Sequence, residues 1–168
     1  MSSIYQLDAD ATRLVSVSKT LVGNNTAGIQ VPIFGLTGTV DAILWGIVTT
    51  VIGATTTAAY LQLNDSTATP DISLAAGVDI SGLVAGSGIY RRGQVGSALE
   101  KLDAATGLVT DPAAVNAAMM TIVRLTKKST ATTNVEFVYS TTAAPTSGVI
   151  QFFAKYLPQS ADGALVAI

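Results

Sequence analysis

Thr39-Val40-Asp41-Ala42-Ile43-Leu44-Trp45-Gly46-Ile47-Val48-Thr49-Thr50-Val51-Ile52 is the stretch on which the fold turns. Read with the two-residue period of a strand, it places Ile43, Trp45, Ile47 and Val51 on one face and Ala42, Leu44, Val48 and Ile52 on the other. Apolar residues on both faces predict a strand covered on both sides. Gly53-Ala54 permits a turn, and residues 57–63 return with Ala59, Leu61 and Leu63 on one face and Tyr60, Gln62 and Asn64 on the other. The two segments read as a hairpin at the centre of the fold. Residues 42–64 carry no charge and are long enough for a bilayer, which takes about 20 predominantly apolar residues. Against that reading stand five threonines, two glycines and acidic flanks at Asp41 and Asp65 where a basic flank would fix orientation. Paired strands are the better expectation.

Strand signals recur on both sides, about eight in all, as short runs of Val, Ile, Thr, Phe and Tyr between clusters of turn formers. Residues 14–20 come first, followed by Gly23-Asn24-Asn25, whose residue types readily take positive φ. Residues 29–36 are extended as well. Pro32 cannot donate to a ladder, which predicts an edge strand or an irregular crossover there. Residues 64–70 read as a polar loop and 72–80 as a weaker strand interrupted by Gly77. Ser97-Ala98-Leu99-Glu100 matches a capping box, and Val95, Leu99 and Leu102 recur at helical spacing, which predicts a short helix ending near Gly107. Asp111-Pro112 suits the cap and first position of a second short turn through Asn116.

The last third returns to strands at 119–126, 134–140 and 149–157. Val135, Phe137 and Tyr139 share a face. Ile150, Phe152, Ala154 and Tyr156 form the expected core face of the last strand, leaving Val149, Gln151, Phe153, Lys155 and Leu157 for solvent or a neighbour. The fold class is therefore mostly β: an antiparallel β-sandwich or barrel-like domain with one short helix and extended termini. Residues 1–168 make a single structural domain, with an extended arm over about 1–12 and an apolar tail, Ala164-Leu165-Val166-Ala167-Ile168.

Charged residues make up 12% of the 168, against roughly 25% in an average soluble domain. Mean hydropathy is +0.49 and the net charge only −2, so copies of the chain repel one another weakly. Assembly is the expectation. Nucleic acid is not, because the only adjacent basic pairs are Arg91-Arg92 and Lys127-Lys128 and no basic helix supports them. The first ten residues have neither a basic start nor an apolar centre, unlike a secretory signal, which points to synthesis in the cytoplasm.

The absence of cysteine and histidine removes disulfides, thiolates, imidazole bases and the preferred ligands of zinc, copper and iron. Acid-base work would fall to paired carboxylates. Asp8, Asp10, Asp65, Asp71, Asp103, Asp111 and Asp162 sit in expected loops or termini, and Asp79 ends a strand, positions that suit turns and caps. Glycines around Arg91 match neither a P-loop nor a dinucleotide fingerprint, and no G-x-S-x-G elbow occurs. No catalytic, cofactor-binding or metal-binding residue is assigned, no cofactor is expected, and folding should be independent of metal. Arg91 and Arg92 instead suit carboxylates of a neighbouring subunit. Phe153 and Lys155 suit an interface rim, and Leu165, Val166 and Ile168 an anchoring tail.

Three runs carry a resemblance: Ile33-Phe34-Gly35-Leu36-Thr37-Gly38-Thr39-Val40; Leu44-Trp45-Gly46-Ile47-Val48-Thr49-Thr50-Val51-Ile52; and Val149-Ile150-Gln151-Phe152-Phe153-Ala154-Lys155-Tyr156-Leu157-Pro158. Together they resemble small virion proteins of tailed bacteriophages, of the kind that decorate or cement the capsid. The resemblance touches about half the chain through structural rather than catalytic motifs. It implies a β-rich, non-enzymatic protein on the capsid exterior whose partners are itself, as a homo-oligomer and commonly a trimer, and the major capsid protein, with no nucleic acid and no membrane. The rival expectations are a tail or head-fibre component, and a carbohydrate-binding sandwich that stacks Tyr60, Tyr90 or Tyr139 on sugars.

Overall fold

In the computed structural model, which describes residues 11–23, 28–66, 71–91, 95–106, 121–128, 131–142 and 148–168, eleven strands form two antiparallel sheets packed face to face. The strands are β1 (Arg13–Thr20), β2 (Ile29–Thr37), β3 (Thr39–Thr50), β4 (Thr56–Asn64), β5 (Ile72–Val78), β6 (Gly88–Arg91), β7 (Leu99–Leu102), β8 (Val123–Thr126), β9 (Thr133–Thr141), β10 (Val149–Pro158) and β11 (Ala164–Ala167). The six-stranded sheet runs β1-β10-β3-β6-β7, and β8 lies beside β6 along the same edge of β3. The five-stranded sheet runs β11-β2-β9-β4-β5. Of the two architectures that the strand pattern allows, a sandwich or a barrel, the strands form the sandwich and not a closed barrel.

The core lies where the alternation puts it. Ala42, Leu44 and Val48 of β3 and Ile150, Phe152, Ala154 and Tyr156 of β10 are buried against Val135, Phe137 and Tyr139 of β9. The Phe137 and Phe152 rings meet across the two sheets at 4.9 Å, tilted by 49°, the inclined geometry that aromatic quadrupoles favour. Tyr139 also closes one end: its hydroxyl donates to the Val22 carbonyl at 2.6 Å and accepts from the Val22 amide at 2.8 Å, tying the segment after β1 to β9.

Four sequence expectations need correction. β3 and β4 do not pair as a hairpin; they belong to different sheets. β2 is not an edge, because β11 covers it, and Pro32 is accommodated at a register shift between Pro32 and Phe34. The helix predicted from residue 97 is instead strand β7 followed by a single 3-10 turn, Ala104–Thr106. There Leu99 to Leu102 pair with Arg91 to Gly88, and tertiary pairing overrides the local helical spacing. The apolar tail, rather than waiting for a neighbour, is β11 of its own sandwich, with Leu165 buried opposite Leu36. Residues 1–10 of the expected arm and the second helical turn at 111–116 lie outside the described residues.

The chain crosses from one sheet to the other between β2 and β3 through a single residue, Gly38, at φ +57°. A Cβ there would collide with Ser160 and Asp162, so glycine answers both a left-handed backbone and a close approach. On the opposite side of the sandwich β5 meets the β7 segment through a parallel bridge between Ala76 and Ala98, with the Ala76 amide donating to the Ser97 carbonyl at 2.8 Å.

Candidate functional site

The strand register of the six-stranded sheet fixes which side chains share its outer face. Ser16 lies opposite Phe153, Phe153 opposite Trp45, Trp45 opposite Tyr90, and Tyr90 opposite Glu100. The row on one side is Leu14, Lys155 and Ile43, and the row on the other is Ser18, Gln151, Ile47, Gly88 and Leu102. The centre of this face is therefore aromatic and aliphatic, with Trp45, Ile47, Phe153 and Tyr90 each half-buried and no second layer over them among the described residues. This is the face that the doubly apolar pattern of β3 expects to be covered.

Ring geometry gives the face its character. Trp45 and Phe153 stack with centroids 5.3 Å apart and planes 9° apart, a separation close to the strand spacing of about 4.8 Å. The two rings turn their faces to each other across the strand gap and their edges outward. Tyr90 lies back across Gly88, where any Cβ would overlap its ring, an arrangement that shields a strand glycine. Burial pushes the Tyr90 hydroxyl above its ordinary pKa. Charges sit around the apolar centre rather than in it. Asp41 accepts two bonds from Arg124, at 2.8 Å from Nε and 2.9 Å from Nη2, and this pairing favours the charged guanidinium. Lys155 and Glu100 occupy other parts of the margin.

The structure brings together two of the predicted interface residues, Phe153 and Lys155, on this face. Val166 and Ile168 are exposed, at 55% and 50%, but they lie on the five-stranded sheet, and Leu165 is core. Arg91 points inward from β6 and is 2% exposed, which corrects the expectation that it reaches a neighbouring subunit. Its Nε donates to the Leu74 carbonyl at 2.9 Å and its Nη1 to the Thr121 carbonyl at 3.3 Å, and burial lowers its pKa. Arg92 lies outside the described residues. Of the tyrosines considered for sugar stacking, Tyr139 is 0% exposed, Tyr60 is half-buried on the five-stranded sheet, and only Tyr90 belongs to the aromatic row. The predicted interface omits Trp45; its signal is the strand alternation, which pairs it with Phe153 once the register is known.

The acids described are occupied locally. Asp79 accepts from the Ser81 amide at 2.8 Å, which lowers its pKa; Asp103 accepts from the Ala105 amide at 3.0 Å; Asp65 pairs with Lys128 at 2.8 Å; and Asp162 accepts from the Ser160 hydroxyl at 2.8 Å. On the outer face of the five-stranded sheet the Gln62 amide donates to both Asp71 and Glu136, each at 2.8 Å, and Asn64 donates to Glu136 at 3.2 Å. Both Gln62 donors are thereby used, and the network ties β4 to β9 and to the residue before β5. Among the described residues no cluster of three or more carboxylates could hold a metal ion, and no helix is long and apolar enough to cross a membrane. No protein-family model matches the chain, and no curated protein sequence is significantly similar to it.

Proposed function

We propose that the chain is a non-enzymatic structural protein of a bacteriophage virion, which attaches to the capsid exterior by laying the outer face of its six-stranded sheet on the major capsid protein. The observation that carries this reading is the row Phe153-Trp45-Tyr90, apolar at its centre and bordered by Asp41, Arg124, Lys155 and Glu100. An aromatic centre with a charged margin has the anatomy of a protein-protein interface. The low charge of the whole chain and its resemblance to small virion proteins supply the setting. Sugar stacking is the weaker reading, because a pyranose needs a free ring face and Trp45 and Phe153 each spend one of their two faces on the other.

The test is mass spectrometry of purified particles together with a pull-down on empty shells. The protein is expected in the particles at a copy number comparable with the coat protein, and Trp45→Ser with Phe153→Ser should abolish its recovery on shells while its circular dichroism stays unchanged. Absence from particles in a lysate rich in the protein would refute the assignment. Strong binding to a glycan array, lost in the same double variant, would replace it with sugar recognition.

A further inference from the structure

We infer that β1 is the site at which a second copy of this chain adds to the six-stranded sheet, the two β1 strands pairing antiparallel about a two-fold axis. The inference concerns self-association alone and stands apart from what the outer face meets. An edge strand exposes a row of unpaired amides and carbonyls, and folds commonly guard such edges with short strands, bulges, prolines or charges. The other edges described here are guarded: β7, β8 and β11 are four residues each, and β5 has two register shifts against β4. β1 differs. Its eight residues pair with β10 in one unbroken register, without proline or bulge, and among the described residues its other side has no strand beside it.

The charges on β1 permit this pairing in one register. Arg13, Val15, Val17 and Lys19 lie on the inner side of the strand and Leu14, Ser16, Ser18 and Thr20 on the outer. Residues opposed across an antiparallel pair share a side, so a two-fold axis passes beside either Ser16 or Val17 if most of the strand is to pair. Centred on Ser16, the pairing sets Arg13 against Lys19 of the second copy at both ends, and directly opposed like charges are destabilising. Centred on Val17, it sets Lys19 against Val15, Leu14 against Thr20 and Ser16 against Ser18, with no charge facing another. Lys19 is also turned away from the edge, its Nζ donating to the Ile168 carbonyl at 2.7 Å across the end of its own sandwich. Leu14, 66% exposed, gains a neighbour in this register. A net charge of −2 per chain opposes the approach only weakly. The product is a continuous sheet across two copies, with both aromatic faces on the same side.

Sedimentation of the full chain at micromolar concentration tests the pairing. The parent is expected as a dimer. Ser16→Lys with Ser18→Lys opposes like charges twice across the axis and should weaken the dimer on the order of tenfold or more, leaving the melting of the isolated chain unchanged. Ser16→Lys with Ser18→Glu opposes unlike charges at the same points and should restore it. A monomeric or trimeric parent, a double-lysine variant that dimerises as well as the parent, or failure of the lysine-glutamate variant to recover the dimer would each overturn the proposal.

Discussion

Replacing Tyr139 by phenylalanine removes one oxygen and leaves the ring, itself 0% exposed, where it packs beside Phe137 at 5.9 Å. The lost hydroxyl serves both polar groups of Val22, at 2.6 Å and 2.8 Å. Two hydrogen bonds at about 0.5–1.5 kcal/mol each would set a loss of roughly 1–3 kcal/mol. Val22 is 61% exposed as a residue, which sets the expectation in the lower part of that range, about 1–2 kcal/mol. In a chain of this size the melting temperature should fall by roughly 2–8 °C. Urea titration at neutral pH reads the effect as a lower midpoint at unchanged slope. Tyr60→Phe, on the half-buried outer face of the other sheet, is the control and should stay within about 0.5 kcal/mol. Equal midpoints for the two variants would refute the reasoning. The same hydroxyl makes an alkaline prediction. Burial raises the Tyr139 pKa above its ordinary 10.0, partly offset by the hydrogen bond from the Val22 backbone. The folded chain keeps a proton that the unfolded chain gives up near pH 10, so this contribution is present below that pH and is lost as pH rises through the folded value. Tyr139→Phe should therefore lose less stability than the parent between about pH 9 and 11.

Two further substitutions should move stability in opposite directions. Thr56 is 0% exposed and its hydroxyl has no hydrogen-bond partner among the described residues, so Thr56→Val, which keeps the shape, should raise stability by about 1 kcal/mol in the same titration; a loss would show that the hydroxyl is satisfied in solution. Leu165, 3% exposed on β11, belongs to the core, so Leu165→Ala should cost about 2–3 kcal/mol, and an unchanged midpoint would place the tail off the sandwich.

Much of this sandwich was legible in strand alternation, because a sheet with one buried face writes its burial directly into a two-residue period. The inner sets of β10 and β9 and the buried half of β3 follow that period. What alternation cannot encode is partnership. β3 and β4 look like a hairpin because they are adjacent and both apolar, yet the short link between them crosses from sheet to sheet. Leu99 and Leu102 suit a helix at a spacing of three as well as a strand with one buried and one half-buried leucine, and only the presence of β6 decides between them. Arg91 reads as a surface charge because nothing local announces the Leu74 and Thr121 carbonyls that receive it. Trp45 reads as apolar, but its place in an aromatic row depends on the registers of β10 and β6.

The position of β10 between β1 and β3 has a consequence for how the protein is made. Thr50 at the end of β3 pairs with Val149, so roughly 100 residues separate the most apolar strand from a partner that covers its flank. At synthesis rates of about 5–20 residues per second, that strand leaves the ribosome some 5–20 s before β10 exists. β1, whose partner is also β10, and β2, whose partners are β9 and β11, wait as well. Neither sheet can therefore be completed until the C-terminal strands have emerged. The run Ile43 to Val48 is the segment most in need of protection during that interval, and a chaperone that binds extended apolar chain would act on it before any part of the sandwich has closed.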